Sequence, residues 1–257
     1  MIHALLIAFS LYSAIPMPRA EWTQKNMRYA MCFLPLVGLL IGGLEALWLY
    51  LGELWALGGV LRGAVAALLP AAVSGGIHLD GLCDTCDALG SHQTREKKLA
   101  ILKDSHAGAF AVIGLGVYLL ALTGVLSELR WSPRTGLLLA LCFPLSRVLG
   151  SLLLLLLPCA REDGLARAFS DAASRRCTAV LAALAVLLLC GAALASPVCG
   201  AALAALLVLA FFALRRKFLR GFGGVTGDLA GFSIELGELL LAAALLVLQK
   251  IPGGFLV

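Results

Sequence analysis

Charged residues are scarce in this chain of 257 residues. Asp, Glu, Lys and Arg make up 14% of it, whereas 61% is hydrophobic and the mean hydropathy is +0.98. A soluble domain is usually about half apolar and about a quarter charged. The shortage of charge excludes an ordinary soluble domain, and with it a basic surface for nucleic acid. We predict an all-α, polytopic membrane protein that contacts the lipid bilayer and binds no nucleic acid.

The sequence also lacks a disulfide framework, although it contains eight cysteines. Cys83 and Cys86 form a CxxC pair, but there is no second pair and no histidine at a recognised zinc-site spacing from it. Four other cysteines lie in or beside apolar runs, where cysteine behaves as a small hydrophobic residue: Cys32, Cys142, Cys190 and Cys199. We therefore expect loops in a reducing compartment. No basic region precedes the first apolar run, so we expect no cleaved signal peptide.

Seven apolar segments are long enough, or nearly so, to cross a bilayer, which takes about 20 residues. Only Pro197 or its immediate neighbours separate the fifth from the sixth, which predicts a tight helical hairpin. Residues 1–15 are apolar but short, and we expect them to form an interfacial or re-entrant helix. We treat residues 1–257 as a single integral-membrane domain. The predicted spans are 31–51, 54–75, 107–127, 135–157, 178–196, 198–214 and 229–248.

The basic residues are concentrated in one set of alternate loops. These loops contain 15 of the 20 Lys and Arg residues, and the opposite set contains only Arg130, Arg134 and Lys250. Cytoplasmic loops of membrane proteins carry an excess of Lys and Arg. We therefore predict that the basic set is cytoplasmic: residues 16–30, 76–106, 158–177 and 215–228.

Three carboxylates occur within eight residues of the cytoplasmic loop 76–106. Asp80, Asp84 and Asp87 are spaced at i, i+4 and i+7, which places them on one face of a helix. Three like charges on one helix face repel each other, so a counter-charge must offset them. Carboxylate oxygens suit Mg²⁺ or Mn²⁺. We predict a site where Mg²⁺ bridges these carboxylates and substrate phosphate oxygens.

A second polar segment follows the last cytoplasmic loop. Glycine-rich backbone at residues 223–227 leads into a helix, and helix N-termini bind anions, so we expect Thr226 and Gly227 to contact a phosphate group. Asp228, Glu235 and Glu238 lie roughly on one face of this helix. Acids inside an apolar run are costly and usually mark a site. We therefore predict that these three carboxylates are further metal ligands.

Several isolated polar residues complete the set of candidates. Lys103 and His106 precede the third span, where Lys103 could hold phosphate and His106 could exchange a proton near neutral pH. Arg147 lies in the middle of the fourth span, and we expect it to face an anionic substrate. Glu45 and Arg62 fall at equal distances from the turn between the first two spans, which predicts a structural ion pair between them.

These residues and their order resemble the cobalamin synthase family, also called adenosylcobinamide-GDP ribazoletransferases. The resemblance covers nearly the whole chain, and two motifs that rarely occur together make it specific. The first runs from His78 to Asp87 and reads HLDGLxDTCD, and the second runs from Thr226 to Glu238 and reads TGDxxGxxxELxE. Shorter matching segments are Ile15–Pro18, Phe33–Gly38, Asp104–Ser105 and Ser146–Arg147.

The resemblance implies a Mg²⁺-dependent enzyme of the bacterial cytoplasmic (inner) membrane. It would join adenosylcobinamide-GDP to α-ribazole, or its 5′-phosphate, and release GMP. Asp80 and Asp84 would bind the metal, and Asp87 would act as general base. Lys103 and Arg147 would neutralise the pyrophosphate charge. The resemblance leaves open the preferred form of ribazole and whether the protein is a homo-oligomer.

Two alternatives remain at the sequence level. A CDP-alcohol phosphotransferase also expels a nucleoside monophosphate at the membrane, but the residues after Asp80-Gly81 depart from the pattern of that family. A cation transporter would use acids inside its spans, usually in paired inverted repeats. Here the acids cluster at cytoplasmic loops and helix starts, and the sequence shows no repeat.

Overall fold

The computed structural model describes residues 1–251, and these residues fold into a bundle of α-helices. Six helices are long and apolar enough to cross a membrane, or seven segments if the bent pair α4–α5 counts as one span. The helices are α1 (Ile2–Tyr12), α2 (Gln24–Met27), α3 (Leu34–Leu54), α4 (Gly59–Ser74), α5 (Ile77–Gly90), α6 (Arg95–Ile101), α7 (Ala109–Glu128), α8 (Pro133–Leu156), α9 (Leu165–Ala172), α10 (Arg175–Ala195), α11 (Pro197–Phe222) and α12 (Gly227–Lys250).

The predicted architecture is confirmed, with shifts at several helix ends. The short N-terminal helix α1 is present, and α10 and α11 form the tight hairpin expected around Pro197. Helix α11 continues to Phe222, further than the predicted end at residue 214. Many large side chains on the outer surface are apolar, such as Leu194 and Leu120, which are 89% and 76% exposed. An apolar exterior is what contact with lipid requires.

Helix α8 is the centre of the bundle, and α3 packs against it through glycines. Gly38 and Gly42 are one helical turn apart in a GxxxG arrangement, which lets two backbones approach closely. A Cβ atom built at Gly38 would lie 2.7 Å from the carbonyl oxygen of Phe143 in α8. One at Gly42 would overlap the carbonyl oxygen of Ala140. Both glycines are therefore needed for the close contact of α3 with α8.

A pair of glycines turns the chain sharply between α4 and α5. Gly75 and Gly76 have φ values of 68° and 79°, in the left-handed region that L-residues with side chains disfavour. Gly75 ends α4, and the axes of α4 and α5 meet at 101°. The turn directs α5 back against α7 and α12. The acidic segment, which lies in the predicted inter-span region 76–106, is thus a helix packed into the bundle, as the spacing of its carboxylates predicts.

The predicted ion pair between Glu45 and Arg62 is wrong. Arg62 instead contacts Glu53, with 3.2 Å between Nη1 and Oε2, and donates a hydrogen bond to the carbonyl oxygen of Ser127. The turn lies between Leu54 and Gly59, further along the chain than assumed, so Arg62 lies beside the end of α3. Glu45 is 1% exposed, and its oxygens have no hydrogen-bond partner among residues 1–251.

The packing of α3 on α8 predicts different outcomes for two adjacent glycine substitutions. Gly42→Ala should destabilise the protein by about 1–3 kcal/mol, because its methyl group must displace backbone of α8. Gly43→Ala is the matched control, since no atom lies within 4 Å of a Cβ built there. Thermal unfolding in detergent measures both variants. Equal unfolding midpoints for the two variants would contradict the proposed backbone contact.

Candidate active site

A cavity of about 340 Å³ lies where α1, α5 and α12 meet the segment that follows α8. Its polar wall includes Asp80 from α5, Asp228 from α12 and Arg161 from the segment after α8. Thr226 and Gly227, at the start of α12, also line it. The cavity therefore brings together both acidic motifs that the sequence singles out, as well as a cation.

Helices α5 and α12 cross in close contact because glycine lies on both sides of the crossing. A Cβ atom built at Gly81 would lie 2.7 Å from the carbonyl oxygen of Asp228, and one at Gly231 would lie 3.3 Å from that of His78. Asp80 directly precedes Gly81, and Asp228 lies three residues before Gly231. Asp84 lies one turn further along α5, where its carboxylate interacts electrostatically with those of Asp80 and Asp228.

The N-terminus of α12 holds Asp228 in a defined position. The Oγ1 atom of Thr226 caps the helix by accepting a hydrogen bond from the backbone N–H of Leu229, at 3.3 Å. The same hydroxyl donates to Oδ2 of Asp228, at 3.2 Å. Free N–H groups at a helix start favour an anion, as predicted for Thr226 and Gly227.

Arg161 lies beside the acidic cluster, and the sequence-based prediction missed its role. Its Nη1 atom lies 3.8 Å from Oδ2 of Asp228, and its Nη2 donates a hydrogen bond to the carbonyl oxygen of Leu99. Two backbone hydrogen bonds join Pro158 and Ala160 to Val225, and they hold the segment that contains Arg161 against the glycine-rich turn before α12. The available sequence signal is that Arg161 lies four residues after a long apolar span. The general excess of basic residues in these loops explains that arginine equally well.

Asp87 has a different environment from the other two acids of its motif. Its oxygens accept hydrogen bonds from the backbone N–H groups of Gly108, at 2.6 Å, and Ala111, at 2.8 Å. Asp87 thus caps the N-terminus of α7, where a negative charge is stabilised by the helix dipole. Its role as general base stays a prediction, and the structure adds a structural role.

Lys103 and His106 lie at the periphery. Nζ of Lys103 is 2.7 Å from Oδ2 of Asp163, a residue that lines the cavity, and this ammonium group lowers the pKa of Asp163. The side chain of His106 is 89% exposed and contacts Asp104, with 2.7 Å between Nδ1 and Oδ1. Lys103 is therefore placed near the cavity mouth, whereas the contacts of His106 lie within its own loop.

Arg147 and the two later acids of α12 lie in the interior of the bundle. Arg147 is 0% exposed and forms an ion pair with Glu238, whose other oxygen lies 3.4 Å from the hydroxyl of Tyr118. Glu235 is 2% exposed and interacts electrostatically with Glu238 and Arg147. None of these three charged residues is among those that line the cavity. Their predicted contacts with phosphate or metal stay predictions.

The donor groups in the cavity fit Mg²⁺ in chemistry. Within residues 1–251, no three His, Cys, Asp or Glu side chains are close enough together to form a complete metal site. Mg²⁺ does not need one, because it usually takes one or two carboxylates together with water and substrate phosphate oxygens. Asp80 and Asp228 in the cavity wall, with Asp84 one turn further along α5, supply the hard oxygen donors that it prefers.

Comparison with known proteins gives a consistent result along the chain. The family model for cobalamin-5-phosphate synthase matches residues 4–246. The chain belongs to this family. Adenosylcobinamide-GDP ribazoletransferase of Lachnoclostridium phytofermentans is 39% identical over 251 residues, covering 97% of this chain and 95% of the relative. Enzymes of the same name from Shigella boydii and an Escherichia coli strain are each 36% identical, covering 92% of the chain and 96% of the relative. No solved structure matches the chain.

Membership in the cobalamin-5-phosphate synthase family confirms the resemblance found in the two motifs. The matched region contains α5, most of α12 and the segment with Arg161, so it includes the whole polar wall of the cavity. Membership also favours a transferase of cobalamin synthesis over the transporter and the CDP-alcohol phosphotransferase considered above. The cavity is thus the candidate active site of a cobalamin-5-phosphate synthase family protein.

The ion pair between Arg147 and Glu238 can be tested by a double-mutant cycle. Arg147→Met should cost about 3–5 kcal/mol, because it leaves a buried carboxylate without its counter-charge. The double variant Arg147→Met/Glu238→Leu should recover most of this loss, as measured by thermal unfolding in detergent. The exposed pair Lys250–Glu128, with 2.8 Å between Nζ and Oε2, is the matched control and should show little coupling. Strictly additive losses at Arg147 and Glu238 would contradict the interaction.

Proposed function

We propose that this chain joins adenosylcobinamide-GDP to α-ribazole, or to α-ribazole 5′-phosphate, and releases GMP. The observation that carries the proposal is the near full-length similarity to relatives named adenosylcobinamide-GDP ribazoletransferase. The reaction assembles the nucleotide loop of cobalamin. It needs a site that handles a pyrophosphate beside a membrane, and the cavity has suitable groups for this task.

The proposed chemistry is one phosphoryl transfer. A hydroxyl oxygen of the ribazole ribose forms a bond to the phosphorus nearest the cobinamide, and the bond from that phosphorus to the oxygen of GMP breaks. The hydroxyl proton passes to a carboxylate; Asp87 is the candidate that the sequence offers, although it caps α7 and does not line the cavity. Such reactions depend mainly on positioning the groups in line and on neutralising charge. Arg161 and the N–H groups at the start of α12 are placed to bind the phosphate oxygens.

Mg²⁺ is part of this proposal. Asp80 and Asp84 would hold it, and Asp228, across the crossing of α5 and α12, would add negative charge beside it. When bound, the ion neutralises charge on phosphate oxygens. Support comes from the electrostatic interaction of Asp84 with Asp80 and Asp228 beside Arg161, an arrangement whose excess of negative charge favours a cation. The buried contacts of Glu235 and Glu238 favour a structural role for those two acids instead.

The location of the site relative to the membrane is also a proposal. The excess of Lys and Arg in the loops that adjoin the cavity supports a cytoplasmic site in the bacterial inner membrane. The bilayer would surround α3, α7, α8 and the three helices from α10 to α12. Both substrates would then reach the cavity from the cytoplasm.

A product assay tests the function directly. Purified full-length protein in lipid vesicles should release GMP from adenosylcobinamide-GDP only when α-ribazole or its 5′-phosphate is also present. Treatment with EDTA should abolish the reaction, and added Mg²⁺ should restore it, because the carboxylates alone leave the phosphate charge uncompensated. Absence of GMP release with Mg²⁺ present would refute the function. Full activity in EDTA would refute only the metal requirement.

Substitution of the acidic residues tests the assignment of roles. Asp80→Asn and Asp84→Asn should each lower kcat by about 100-fold or more, since each removes a charge that contacts the metal. Glu53→Gln is the matched control, because it makes the same change at an exposed carboxylate that pairs with Arg62 outside the cavity. Kinetic assays at saturating Mg²⁺ provide the measurement. Wild-type turnover by Asp84→Asn would show that the metal assignment is wrong.

A further inference from the structure

Two cysteines that are 145 residues apart in the chain meet beside the cavity. The Sγ atoms of Cys32 and Cys177 are 2.7 Å apart, and Sγ of Cys32 also lies 3.7 Å from the carbonyl oxygen of Cys177. Cys32 ends the 3₁₀ turn Ala30–Cys32, and Cys177 lies in the first turn of α10. Cys177 is 0% exposed, whereas Cys32 is partly exposed. The pair is therefore closely packed but open at the protein surface through one of its members.

Local hydrogen bonds hold the backbone of both cysteines. The N–H of Cys32 donates to the carbonyl oxygen of Tyr29, at 3.0 Å, and that of Cys177 donates to the carbonyl oxygen of Ser174, at 2.8 Å. The side chain of Ser174 also caps α10 by accepting a hydrogen bond from the N–H of Arg176. The contact between the two sulfur atoms thus joins two ordered elements of the backbone.

The distance between the sulfur atoms favours a covalent bond over shared binding of a metal ion. Two cysteines that bind one zinc ion keep their sulfur atoms about 3.8 Å apart, as Zn–S bonds of about 2.3 Å in a tetrahedron require. A disulfide bond is about 2.05 Å long, so Cys32 and Cys177 need to approach by only about 0.7 Å to form one. In a reducing compartment such bonds are usually transient and respond to oxidants.

The start of α10 favours negative charge at this contact. Helix N-termini and neighbouring arginines stabilise a thiolate, which is the form of cysteine that reacts with oxidants. Arg175 and Arg176 directly precede Cys177 at that helix start. The thiol of Cys177 can donate a hydrogen bond to Sγ of Cys32, which stabilises negative charge on Cys32. Cys32 is also the member that an oxidant can reach, and Cys177 is placed to complete the bond.

Both cysteines adjoin the wall of the candidate active site. Met31, directly before Cys32, lines the cavity. On the other side, the segment between α8 and α10 contributes Arg161 and Phe169 to the cavity wall. Backbone hydrogen bonds hold the start of this segment to the turn before α12, and a bond at Cys177 would fix its end. A disulfide would therefore link two parts of the wall that are far apart in the sequence.

We propose that Cys32 and Cys177 form a disulfide when the protein meets a peroxide, and that thiol reductants reverse it. The sulfur of Cys32 attacks one oxygen of hydrogen peroxide, the O–O bond breaks, and a sulfenic acid and water form. The sulfur of Cys177 then attacks the sulfenic sulfur, and the hydroxyl group leaves as a second water with the thiol proton. Overall, two thiols lose two electrons and two protons, and one hydrogen peroxide becomes two water molecules.

Resting on the proposed function, the disulfide also slows turnover by keeping the cavity wall in place. A cavity of about 340 Å³ is near the lower end of the range of about 300–1,000 Å³ found for one drug-sized ligand. The proposed reaction joins two substrates, one of which contains a corrin macrocycle, so the wall must move to admit them. A covalent bond between two parts of the wall restricts this motion.

Peptide mass spectrometry of the unmodified protein tests the bond directly. Reduced full-length protein in lipid vesicles is treated with hydrogen peroxide, and the remaining thiols are alkylated before digestion. A linked pair of peptides that contain Cys32 and Cys177 should appear, and dithiothreitol should remove it. Cys83 and Cys86 on α5 are the internal comparison, because CxxC spacing is typical of redox-active pairs. Linkage of Cys83 to Cys86 alone, or no linkage at all, would overturn the proposal.

Turnover of the oxidised protein tests the effect on the cavity. Peroxide should lower GMP release by wild type about tenfold, and dithiothreitol should restore it. Cys32→Ser and Cys177→Ser should keep wild-type turnover before and after treatment, because neither thiol is among the groups that line the cavity. Cys190→Ser, at an exposed thiol of α10, is the matched control and should lose activity as wild type does. Equal losses in Cys32→Ser and wild type would overturn the control of turnover by this bond.

The outcomes separate this inference from the proposed function. Reduced wild-type protein that releases no GMP refutes the function but leaves the peptide experiment unaffected. Formation of the disulfide with unchanged turnover refutes only the restriction of the cavity. The peptide experiment uses wild-type protein, so it decides whether the bond forms even if a variant fails to fold.

Discussion

The pairing of buried charges between α8 and α12 is the interaction on which the rest of the structure depends. Arg147 and Glu238 are both inaccessible to solvent, in a bundle whose outer surface is apolar. Neither charge can be exposed to lipid without a large cost, so each must be satisfied by the other. Their contact aligns α12 with the central helix. Asp228 and the capped N-terminus of α12 are then placed at one end of the bundle.

Close contact between helix backbones fixes the packing of the bundle together with the ion pair. Glycines on α3, α5 and α12 permit helix crossings that side chains would block, and such crossings replace the hydrophobic driving force that lipid does not provide. At Gly81 the crossing brings Asp80 next to Asp228, although the two are far apart in the sequence. Asp87, near the C-terminal end of α5, caps the N-terminus of α7. A set of repelling acids is thus held by helix packing, and in the proposed function Mg²⁺ and substrate phosphate would supply the opposing interactions.

The sequence supported a large part of this description. Length and hydropathy of the apolar runs predicted the helices, and the spacing of Asp80, Asp84 and Asp87 predicted that they share one helix. The sequence did not predict which residue each buried charged side chain contacts. Equal distances from the predicted turn between the first two spans suggested an ion pair of Glu45 with Arg62. The turn between α3 and α4 lies later in the chain, and a shift of one helical turn changes every contact. The sequence likewise did not predict that Arg147 pairs with Glu238, which lies 91 residues further along the chain.

What the sequence alone determined is local: which segments are helical, which of them are apolar enough to span, and which family the motifs resemble. These properties follow from neighbours within a few turns, where periodicity and composition act directly. Only the tertiary structure decided that Arg161 lies beside Asp228, and that Tyr12, His78 and Phe169 form one apolar wall. Such contacts depend on how separate helices pack. The geometry of that packing is set by small residues and turns, and it cannot be read from any one segment.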